Sequence, residues 1–72
     1  MNKPIETLGE ALPREMARVR DVVLPEYVAI GAPGAFGAHM IRMDLDAAAK
    51  AMTEGDAATM LQSLKTLKEI TG

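Results

Sequence analysis

Between Phe36 and Met52 apolar residues return at helical spacing twice over, and that pattern narrows the fold more than any other feature. Ala38, Ile41, Leu45, Ala48 and Met52 form one stripe. Phe36, Met40, Met43, Ala47 and Ala51 form a second, roughly 140° further round at about 100° per residue. A polar wedge of His39, Arg42, Asp46, Lys50 and Thr53 separates them on one side, and Asp44 alone marks the other. A helix that is apolar on two sides has to be sandwiched. The pattern predicts a helix from Pro33 to about Thr53, with Asp46 and Lys50 at a favourable i,i+4 spacing on its wet side.

The flanking segments supply the rest of a helical domain. Leu12, Met16, Val19, Val23, Tyr27 and Ile30 lie on one narrow stripe of a first helix that Pro13 is placed to open. Pro25 lies inside this pattern, so the helix is expected to kink or restart there. Leu24 and Val28 fall off the stripe, a second sign of a bend, and Gly31 suits the C-cap. Ahead of Pro13, residues 1–12 read as a loosely ordered lead-in with a short helical turn, in which Thr7 and Glu10 have capping-box spacing. Gly55 and Asp56 fit a left-handed helix end followed at once by an N-cap, which makes an αα-hairpin. The last helix, about Ala57 to Ile70, aligns Ala57, Met60, Leu61, Leu64 and Leu67. The expected fold is all-α, a single domain over residues 1–72. It has three helices, the first kinked near Pro25, and a C-terminal αα-hairpin.

Composition agrees and adds a constraint. The chain has 72 residues, no Trp, one Phe and one Tyr, so its core is aliphatic and thioether and its helix propensity is high. Small scaffolds usually need disulfides, a metal or a partner subunit. Cysteine is absent, which excludes disulfides and thiolate metal sites. Either stripe of the middle helix can meet the chain's own helices, and the other then needs a cover. A homodimer is therefore expected, with Phe36, Met40, Met43, Ala47 and Ala51 at its interface.

A formal net charge of −2 gives no long-range pull toward nucleic acid or anionic membrane. The stretch MNKPIETLGE has no signal-peptide segment, and the longest uncharged run, Val28 to Ile41, is too short to span a bilayer. A cytoplasmic location is the expectation.

The chemistry-bearing residues are few. In GAPGAFGAHM the glycines at 31, 34 and 37 raise the question of a phosphate loop. A Walker loop needs a lysine and a hydroxyl, and a dinucleotide fingerprint needs a preceding strand; none of these is present. The spacing is better suited to close backbone packing against another helix. His39 is the one histidine and has no sequence neighbour placed to orient it as a base or to share a metal. Met40 and Met43 could be drawn as soft copper ligands, but they belong to the second apolar stripe. Asp44, between the stripes, reads as an edge carboxylate that pairs with Arg18 or Arg20. Arg14, Arg18 and Arg20 form the one basic cluster, with Glu15 and Asp21 interleaved. No catalytic, cofactor-binding or metal-binding set can be assembled.

The segments EMARVRDVVLPEY, GAFGAHMI and the Gly-Asp hairpin resemble small all-helical bacterial proteins found in prophages and other mobile elements. The resemblance covers about residues 13–70, carries no activity, and implies an accessory interaction protein. The expected function is thus non-catalytic, through contact with itself or with another protein in an accessory or adaptor role. The alternative is a small nucleic-acid-binding regulator whose dimer gathers the Arg14, Arg18 and Arg20 faces.

Overall fold

Thr7 starts the first helix. Its hydroxyl accepts from the Glu10 N–H at 3.2 Å, while the Glu10 carboxylate accepts from the Thr7 N–H at 3.1 Å. This reciprocal capping box satisfies two donors that would otherwise be orphaned, and the Thr7 N–H draws the Glu10 carboxyl below its usual pKa. The computed structural model describes residues 6–71, and every regular element among them is helical. Helix α1 runs Leu8–Arg18, so the chain is helical well before Pro13, which sits inside the helix instead of opening it. The lead-in expected over residues 1–12 is helical from Leu8 onward, and its first five residues lie outside the described part. A proline there removes one helical bond, which the cap and the burial of Ala11 and Leu12 offset.

The chain passes Pro25 by widening. A π-helical segment, Val19–Val23, joins α1 to α2, Leu24–Ile30, and the Leu24 N–H reaches back five residues to the Val19 carbonyl. An ordinary turn would press the Pro25 ring against the carbonyl four residues earlier; the π turn relaxes that register. The extra residue also rotates the apolar stripe. Leu24, expected off the stripe, packs on the core, whereas Ile30, expected on it, is 60 % exposed. Gly31 ends α2 at φ 83° and ψ −142°, a conformation for a residue without Cβ.

A 3-10 turn, Ala32–Gly34, leads into α3, Ala35–Glu54. Gly55 closes α3 at φ 67°, and the Asp56 carboxylate caps α4, Ala57–Glu69, by accepting from the Thr59 N–H at 3.2 Å. Hydrogen bonds from the Thr59 side chain and backbone hold the Asp56 carboxyl below its usual pKa. The Gly-Asp hairpin is as the sequence predicts.

The core gathers Leu12, Val19, Val23, Ile41, Ala48 and Leu67 from the long first helix and both arms of the hairpin. α4 packs against both α1 and α3, and α2 reaches over to α3. Arg18 fastens this arrangement. Its guanidinium pairs with Glu15 and donates to the carbonyls of Leu67 and Ile70, at 2.9 and 3.0 Å. Those carbonyls end α4, where helices lack internal donors and a cation is favoured. Arg18→Ala is therefore expected to cost about 2 kcal/mol in urea denaturation, with Arg18→Lys recovering only part because an ammonium cannot fork. An unchanged midpoint for Arg18→Ala would contradict this role.

Candidate interaction surface

Two glycines explain how α2 and α3 approach. A Cβ on Gly37 would lie 2.7 Å from the Cδ2 and Cε2 atoms of Tyr27, and one on Gly34 would collide with the Tyr27 carbonyl oxygen. The ring of Tyr27 thus lies over Gly37, with Ala38 buried beside it. Gly34 and Gly37 thus serve close packing, whereas Gly31, with open space around it, serves the positive-φ turn.

With α2 and α4 in place, the two stripes of α3 part company. Ala38, Ile41 and Ala48 are buried, and Leu45 and Met52 are half-buried against the core. On the second stripe Phe36 is 74 % exposed, Met43 52 % and Met40 40 %, and Ala47 is also exposed. Ala51 is the exception: it is 1 % exposed and belongs inside the chain. It lies where α3 ends: the Asp56 N–H donates to the Ala51 carbonyl at 3.1 Å as the chain turns back. The candidate surface therefore comprises Phe36, Met40, Met43 and Ala47, without Ala51. Val28, expected off the buried stripe, and Ile30, expected on it, are both exposed just before the Gly31 turn that leads into the same helix.

Beside this face lies an open groove of about 310 Å³. Tyr27, Gly37, Met40 and Ile41 line it from α2 and α3, and Ile70 lines it from the end of α4. Asp44 and Glu69 bring carboxylates to the same groove. Sequence reasoning missed it, because three segments remote in the chain have to meet before it exists.

Asp44 is half-buried and makes no ion pair among the described residues. The expected pairing with Arg18 or Arg20 does not form. Arg18 is taken by Glu15 and the end of α4, and Arg20 pairs with Asp21 at 2.8 Å, a hydrogen bond that lowers the Asp21 pKa. Arg14 meets Glu6 at 2.8 Å. Each member of the basic cluster thus has an acidic neighbour. His39 is exposed and takes part in no side-chain hydrogen bond among the described residues. No group of three or more metal-ligating side chains occurs among the described residues, and no described helix is long and apolar enough to cross a membrane.

The chain matches no family model, no curated protein and no solved structure.

Proposed function

We propose that the chain is a non-catalytic helical protein that works through protein–protein contact, first with a second copy of itself, in an accessory or adaptor role. The observation that carries this reading is the row Phe36, Met40, Met43 left in water along one side of α3. Contiguous apolar surface of this kind is the usual source of recognition energy, and Phe and Met are favoured anchors at interface centres. An assignment to nucleic acid draws less support, because the arginines that would meet phosphate are matched by Glu6, Glu15 and Asp21.

The test is a set of substitutions read by self-association. Met40→Asp is expected to weaken it about a hundredfold or more, since an unpaired carboxylate at an apolar centre costs several kcal/mol. Phe36→Ala should weaken it by roughly 30-fold, the loss of one anchor. His39→Ala, on the polar wedge, should leave association and biological activity nearly intact. A neutral Met40→Asp, or a dead His39 variant with normal assembly, would overturn the proposal.

A further inference from the structure

We propose that Met40 and Met43 form an oxidation site, which a hydroperoxide converts to paired sulfoxides while the other described methionines stay thioethers. The chain has no cysteine, so its sulfur chemistry belongs to methionine alone. Five methionines fall among the described residues, and the fold divides them. Met16, Met52 and Met60 are half-buried and pack against the core. Met40 and Met43 are exposed, three residues apart on the open side of α3. Residues at that spacing are neighbours on a helix, so the two thioethers make one patch. All five groups share the same intrinsic reactivity, and access of the oxidant to sulfur decides among them.

In the reaction a lone pair on Sδ attacks the terminal oxygen of the hydroperoxide. An S–O bond forms and the O–O bond breaks. The proton of the transferred hydroxyl passes to the departing hydroxide or alkoxide, which leaves as water or alcohol. Sulfur gives up two electrons and the peroxide accepts them. The product carries a strong hydrogen-bond acceptor where the row had an apolar thioether, and Phe36 and Ala47 on either side have no side-chain donor to offer it. The effect on assembly rests on the self-association reading. A second copy would present the same donorless row, so each sulfoxide should weaken association by about tenfold. Association in turn shields the pair, which makes the free chain the form that reacts. Reduction of the sulfoxides restores the thioethers and the contact with them.

The test treats the purified chain with dilute hydrogen peroxide across a dilution series, maps added oxygen by peptide mass spectrometry and follows molar mass in parallel. Oxygen is expected on Met40 and Met43 before Met16, Met52 or Met60, more slowly at high concentration, and with loss of the doubled mass. The double variant Met40→Leu, Met43→Leu, which keeps the apolar volume, should hold its mass in peroxide. Equal rates at all five methionines would overturn the oxidation site. A dimer that persists with both sulfoxides in place would overturn its effect on assembly. Selective oxidation of a chain that stays single at every concentration would uphold the site and overturn self-association instead.

Discussion

Gly34→Ala is expected to lower stability by about 3 kcal/mol, near the whole margin of a domain this small. The backbone of Gly34, at φ −89° and ψ −6°, is open to any residue, so conformational strain is not the cause. The cause is a collision. An added Cβ would run into the carbonyl oxygen of Tyr27 and stand 3.2 Å from the Cβ of Ile30. A backbone carbonyl cannot swing aside as a side chain can, so α2 would have to lift from α3. Gly37→Ala should cost less, because its obstacle is the Tyr27 ring, and pairing it with Tyr27→Ala should show strong coupling in a double-mutant cycle. Urea denaturation at one fixed protein concentration measures all of these. An unaltered midpoint for Gly34→Ala would mean that the two helices do not meet as described.

The second large effect is expected at Leu67. Its side chain is fully buried where α4 meets the first helix and α3, and truncation to alanine should cost about 2–5 kcal/mol. Set against the few kcal/mol available to a chain of this size, Leu67→Ala should be largely unfolded at 25 °C, with most of its helical circular dichroism gone. Leu61, 47 % exposed on the same helix, is the control, and Leu61→Ala should stay within about 0.5 kcal/mol of the parent. A folded, cooperative Leu67→Ala would contradict the core.

Much of this architecture was legible in the sequence because its signals are local. Gly55 and Asp56 carry their own cap chemistry, and the first stripe of α3 is buried as its period predicts. The start of α1 was misplaced between two competing local signals: Pro13 suits a first turn, but the Thr7 and Glu10 box lies upstream and takes precedence. Ile30 was misread because periodicity assumes a constant turn, and the π segment before Pro25 adds a residue to it. Ala51 and Arg18 were beyond any local reading. Ala51 lies at the turn between α3 and α4 and is buried there, and Arg18 binds main-chain carbonyls, which leave no trace in side-chain pattern. The groove beside Met40 was hidden for the same reason, being made of three segments that only the fold assembles.

The exposed row of α3 is either met by a second copy or left in water. Multi-angle light scattering of the purified chain at micromolar concentration measures this most directly. The predicted result is twice the 7.7 kDa chain mass, with Met40→Asp returning to a single chain of undiminished helical content. A parent chain that remains at 7.7 kDa throughout that range would contradict the account.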